Sequence, residues 1–301
     1  PFRSVWQRED YPSAASLATQ WPMLLSLTLL LSILTFFTQF AHPFVETWLV
    51  QDSARWDLQR EIFVMQADGS RQTRLARSPA QSVSHPCWST DARRIVFAAG
   101  SWTYNQNAPS DAEIYAMNAD GTHEERLTDN NSYEGHPCWS PEGSKVVFES
   151  LRHGTHAIYV MNADGSKQAR ITHGHGRQAL PAWSPDGEKI VFVSERDGAA
   201  EIHVVGVNGD DKARLTTVGD NSYPVWSPDG QQIAFASRRD GDWEIYVMDA
   251  NGTNVRRRTH DKGNDRFPSW SPDGRRIAFA SNRGATGRST QSIPKGESQR
   301  I

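Results

Sequence analysis

The chain has 301 residues, with 32 Lys plus Arg against 35 Asp plus Glu, and 11 Trp. A charge so nearly balanced gives no global field to gather nucleic acid, so any partner has to be recognised locally. At 22% charged and 10% aromatic the composition is that of a folded chain, and two cysteines outside any CxxC make no disulfide framework.

In chain order, residues 1–20 read as a polar segment on the cytoplasmic side. Residues 21–41, WPMLLSLTLLLSILTFFTQFA, carry no charge. That is close to the ~20 residues a helix needs to cross ~30 Å of hydrocarbon, and Trp21 and Trp48 flank it as interfacial anchors do. The run is longer than a signal-peptide core, and no A-x-A site follows it. The expectation is a single helix through the lipid bilayer of a bacterial cytoplasmic membrane, with the rest of the chain in the periplasm. Thr28, Ser32, Thr35 and Gln39 fall on one face of it, as residues that pack against a partner helix do; the alternative is hydroxyls bonded to their own carbonyls one turn back. Residues 42–60 read as a linker.

From there the sequence repeats. Trp88, Trp139, Trp183, Trp226 and Trp270 are spaced 51, 44, 43 and 44 residues apart, and a period in the forties signals a repeat architecture. WSPDG stands at 183–187, 226–230 and 270–274, with WSPEG at 139–143 and WSTDA at 88–92. In one period, Pro224–Ser227 is extended, Pro-Asp-Gly turns, QIAFAS is a strand, Arg-Asp-Gly turns, EIYVM is a third strand, Asp249–Gly252 is a third turn, and Arg256–Thr259 is a weak fourth. Four short strands with turns, repeated, make the blade of an all-β β-propeller. The Trp then wedges between blades and Pro-Asp-Gly closes the first hairpin. The last unit stops after RRIAFAS, while EIFVM and RLA near residues 61–76 supply two strands. Joining these ends closes a ring over residues 61–283 with five blades; six stays open if residues 46–60 hold degenerate strands. Residues 284–301 read as an extended Gly/Ser-rich basic tail.

On these residues the chain resembles the TolB-type propeller family, whose repeat runs roughly WSPDG..IAF.S.RDG..EIYVM.ADG...RLT. Residues 226–259 match nearly throughout, and the likeness covers about 61–283. It implies a propeller. It also implies one of the family's trades: binding membrane-linked partner proteins in the periplasm, gating substrates for peptidases, or cleaving polysaccharides. The chain departs from the family's envelope members in carrying an apolar segment where they carry an α/β domain.

Catalytic signatures are sparse. There is no GxSxG elbow, P-loop, HExxH or EF-hand spacing. Seven of the ten histidines fall in or beside loops expected on one face of the ring. His85, His136 and His260 suggest a His-rich docking face. His153, His156, His173 and His175, from one blade and its exit loop, are the candidate ligands if zinc or another divalent metal binds. The insertion GSWTYNQNAPSD on the same face offers Trp102 and Tyr104 as interface anchors. Cys87 and Cys138 stand where other repeats have Ala182, Val225 and Ser269, so they read as small buried thiols, too far apart to bond.

The resulting expectation is a scaffold with no cofactor and no enzymatic activity. It is a membrane-anchored extracytoplasmic propeller serving as an accessory subunit among the protein subunits of a membrane complex, such as a respiratory or photosynthetic assembly. A TolB-like envelope protein binding lipoproteins, and a metal-dependent glycan lyase or hydrolase, are the alternatives.

Overall fold

The β-branched and aromatic runs fold as antiparallel strands in the computed structural model. It describes residues 39–40, 48–55, 59–66, 71–76, 82–100, 111–196, 198–260, 262–282 and 289–294, with side chains over 61–65, 71–75, 83–100, 111–196, 198–260 and 262–282. No helix occurs among the described residues. The first sheet is β1 (Gln39–Phe40), β2 (Trp48–Arg55), β3 (Gln59–Gln66) and β4 (Thr73–Ala76). Four full blades follow. The first is β5 (Ser82–Trp88), β6 (Arg94–Gly100), β7 (Glu113–Asn118) and β8 (Glu125–Arg126); the second is β9 (Glu134–Trp139), β10 (Lys145–Ser150), β11 (Ala157–Asn162) and β12 (Ala169–Arg170). The third is β13 (Arg177–Trp183), β14 (Lys189–Arg196), β15 (Ala199–Gly206) and β16 (Ala213–Arg214); the fourth is β17 (Asn221–Trp226), β18 (Gln232–Ser237), β19 (Glu244–Asp249) and β20 (Arg256–Arg257). The chain closes with the three-stranded sheet β21 (Asp265–Trp270), β22 (Arg276–Ser281) and β23 (Ser289–Pro294).

The propeller expectation holds, but not the fifth blade joined from both chain ends: the full repeat builds four blades, and each chain end forms a sheet of its own, the first with a strand inside residues 46–60, where degenerate strands were left open. β3 pairs with β2, not with the last unit, and β22 pairs with β23. A nearby antiparallel partner closes a short loop, which costs less entropy than pairing across the whole chain. The strand β2 thus lies within the stretch read as a linker, and β23 within the stretch read as a tail. β1 touches β21, so the end sheets meet. No helix among the described residues is long and apolar enough to cross a membrane. Thr28, Ser32 and Thr35 lie outside those residues. Gln39, expected on the membrane helix, has its backbone in β1 opposite Val50, where its aromatic neighbour Phe40 suits a strand.

The repeated motifs do structural work. Phe97, Phe148, Phe192, Phe235 and Phe279, at one slot of the second strand, are fully buried. Trp139 packs with Val96, Ile114 and Leu127 of the preceding blade, and Trp183 with Val147, Ile158 and Ile171 of its own predecessor, which is the wedge expected. In the Ser-Pro-Asp-Gly turn, Ser184 Oγ accepts from Lys189 N (2.9 Å) and Asp186 Oδ1 from Glu188 N (3.0 Å). The Asp-Gly turn between third and fourth strands needs its glycine twice over. Gly165 has φ +81°, and a Cβ there would lie 2.4 Å from the Leu127 carbonyl oxygen of the preceding blade.

Candidate functional site: the hub cavity

The first strands of successive blades touch one another, β5 with β9, β9 with β13, β13 with β17 and β17 with β21. Only strands at the hub do this. Each carries the same irregularity: His85-Pro86-Cys87, His136-Pro137-Cys138, Leu180-Pro181-Ala182, Tyr223-Pro224-Val225 and Phe267-Pro268-Ser269 precede the tryptophans. Proline has no N–H for the ladder, and the register shifts across each of these sites. The residue before each proline adopts φ of 54°, 48°, 56°, 54° and 57° in turn, uncommon for a side chain other than glycine. These five residues, the five prolines and the small residues after them line one cavity of about 120 Å³.

Its wall is not uniform. The rings of His85 and His136 lie 3.8 Å apart, and those of Tyr223 and Phe267 4.2 Å apart. Cys87 and Cys138 are bonded as a disulfide with Cα atoms 5.3 Å apart. This corrects the expectation of two separate thiols. Inner strands converge at the hub and bring equivalent positions of neighbouring blades inside the ~4.4–6.8 Å a disulfide spans.

Behind His136 sits a departure from the repeat. The slot after the buried Phe holds Ala98, Val193, Ala236 and Ala280 in the other units and Glu149 here. Glu149 is fully buried. Its Oε1 lies 3.0 Å from His136 Nδ1, 3.7 Å from His156 Nδ1 and 4.0 Å from Arg177 Nη2, and its Oε2 accepts from Leu180 N–H at 3.1 Å. Burial by itself raises a carboxyl's pKa; here His136, Arg177 and His156 outweigh it and hold Glu149 below the ordinary carboxylate range. Burial lowers the His156 pKa, against the pull of Glu149. Arg177 is shared with Glu195, 2.9 Å away. Beside it, a more open groove of about 560 Å³ is lined by Arg177, Glu195, Asp220 and Trp243 among others, and the Arg266 guanidinium stacks 4.6 Å over Trp243.

The structure thus brings His85 and His136 together, as a His-rich face requires, but leaves His260 exposed and outside the cavity. The four proposed metal ligands do not converge. His153 contacts the Tyr159 hydroxyl, His156 turns to Glu149, and His173 and His175 are exposed. Among the described residues no group of three or more His, Cys, Asp or Glu side chains is placed to hold a metal ion. Trp102 and Tyr104 lie outside the described residues. Glu149, Arg177, Tyr223 and Phe267 were missed; a charged residue in an otherwise apolar slot was the signal for the first.

Four-stranded antiparallel blades set around a lined hub define a β-propeller. The model for the TolB beta propeller domain matches residues 47–223, more than half of the chain, and the chain belongs to that family. The model for the Tricorn protease N-terminal beta propeller domain matches residues 198–295. The Tol-Pal system protein TolB of Alcanivorax borkumensis is 32% identical over 88 residues, 29% of this chain and 19% of that protein, so the chain spans about a fifth of the length of that relative. Putative TolB from Agrobacterium tumefaciens is 25% identical with a TM-score of 0.62, over 70% of this chain and 73% of that one. TolB from Acinetobacter baumannii is 23% identical with a TM-score of 0.64, over 80% and 61%. An oligogalacturonate lyase in complex with manganese is 14% identical with a TM-score of 0.60, over 87% and 90%, a likeness of fold alone.

Proposed function

We propose that this propeller is a protein-binding scaffold that takes a segment of a partner at its hub and catalyses no reaction. The observation that carries this is the hub cavity itself: apolar and aromatic on one side, imidazole on the other, held by five strained pre-proline positions and pinned by a disulfide. Preorganised walls with a few polar groups are what recognition needs. The scaffold reading uses no cofactor. In its finer form, the apolar segment 21–41 tethers the propeller in the periplasm as an accessory subunit of a membrane complex. The disulfide supports an extracytoplasmic site, since such bonds persist in oxidising compartments. The similarity to the Tol-Pal system protein TolB favours an envelope role as the second reading.

The test is mild-detergent extraction from the native membrane, then sizing and mass spectrometry, for the wild type and for Ala182→Phe, which fills the cavity. A defined complex that Ala182→Phe dissociates is the expected result. A lone monomer sinks the scaffold reading, and a complex indifferent to Ala182→Phe removes the hub as its seat.

A further inference from the structure

Of the five equivalent pre-proline positions, three hold Leu180, Tyr223 and Phe267 and two hold His85 and His136. The two histidines are neighbours with ring centroids 3.8 Å apart, and the Glu149 carboxylate stands behind His136. The groups facing the pair come from several elements. Ser84 on β5 has its Oγ 3.0 Å from His85 Nδ1. Glu149 comes from β10, His156 from the loop before β11, and Arg177 from the start of β13. Glu195 on β14 claims Arg177 as well. Two carboxylates therefore share one guanidinium, and Glu149, buried, keeps negative charge to be matched. The first proton the pair takes is neutralised when it sits on His136, 3.0 Å from Glu149. A second proton sets two like charges in rings 3.8 Å apart and tilted by 32°, against an apolar cavity.

The opposite wall fixes the kind of guest. Leu180, Tyr223, Phe267 and the prolines offer no charge, and the imidazole wall gains an unmatched positive charge only when the second proton arrives. An uncharged, apolar guest is the complementary one. The volume, about 120 Å³, is near that of the ~150 Å³ engineered cavity that holds benzene. We propose that the hub is a proton-gated seat. It holds an uncharged apolar side chain of a partner while the His85–His136 pair carries at most one proton, and releases it when acidification adds the second. This rests on the reading of the hub as the partner's seat.

Benzene is the probe, titrated into the full chain at pH 7.5 and at pH 5.0, a span covering the ordinary imidazole range, with binding read from methyl shifts in NMR spectra. The expected result is affinity at least tenfold weaker at pH 5.0. His85→Phe, the residue the repeat itself places at position 267, should bind equally at both pH values; if Phe fills the cavity, His136→Leu, which copies Leu180, carries the same expectation. Equal affinity at the two pH values, a pH dependence that survives in these variants, or no binding of benzene at either pH each overturns the proposal. The two ideas fail separately. A pH-gated benzene site in a protein whose native complex ignores Ala182→Phe leaves the gate standing and removes the partner.

Discussion

Asp265 occupies the place that Asn221 and Gln178 hold in the two preceding blades. Burial, with the charge of Glu244 adding to it, pushes its carboxyl up to about 6, against the lowering effect of Ser281 and Thr259. The folded value lies above the unfolded one, so the folded state favours the neutral acid. The destabilisation is absent below about pH 3, where the group is protonated folded or not. It grows with pH and is complete above about 6. Asp265→Asn removes it, and an amide can donate to Glu244 as Asn221 Nδ2 donates to Glu201 Oε2 at 3.0 Å. The variant is expected to melt a few degrees higher than wild type at pH 8, about 1–2 kcal/mol, and at the same temperature at about pH 3. Equal melting points at both pH values argue against a strained carboxyl. Position 265 was legible only as one more strand residue: the repeats carry amides at Gln178 and Asn221 but acids at Glu134 and Asp265, and the cost at 265 comes first from burial, with Glu244 of the preceding blade adding to it, neither of which exists before folding.

Within a blade, a threonine following the fourth strand ties that strand to the third. Thr128, Thr172, Thr216 and Thr259 accept through Oγ1 from the backbone N–H of Ile114, Ile158, Ile202 and Ile245 at 2.8, 2.8, 2.9 and 2.9 Å. In two blades the same hydroxyl donates to a buried glutamate, Thr216 to Glu201 and Thr259 to Glu244. In the second blade that glutamate is replaced by Ala157. Valine keeps the shape and removes the hydroxyl. Thr172→Val orphans one buried N–H, about 1–3 kcal/mol, whereas Thr216→Val also strips a donor from a buried carboxylate and should cost about 1 kcal/mol more. Urea unfolding of the two variants checks this; equal losses refute the inference. At this scale the strands and turns were readable, because each repeat restates the same alternation and the same Asp-Gly turns. The ends were not. WLVQDSAR and STQSIP lack the repeat's signature, yet as β2 and β23 they pair locally and displace the shared fifth blade.

For the molecule as a whole, the hub was half legible. The sequence carries five X-Pro-small-Trp segments, and they place histidines and cysteines in register. How near register-mates stand is set by the radius of the ring, which no single repeat encodes, so the disulfide and the close imidazole pair emerged only with the fold. That radius gives the disulfide its leverage. It ties the first full blade to the second across 51 residues, and chain-entropy arithmetic for a loop of that length gives about 4 kcal/mol relative to the reduced chain. It also lies two residues from both His85 and His136, so it braces the wall that carries them. Reduction by dithiothreitol is therefore expected to lower the melting temperature by several degrees and to weaken benzene binding at pH 7.5. Cys87→Ala/Cys138→Ala, which copies Ala182, should melt as the reduced protein does and show no further response to reductant. Coincident melts of oxidised and reduced wild type reject the brace. A lowered melt with unchanged benzene affinity limits the bond to stability and leaves the shape of the seat to the five pre-proline kinks.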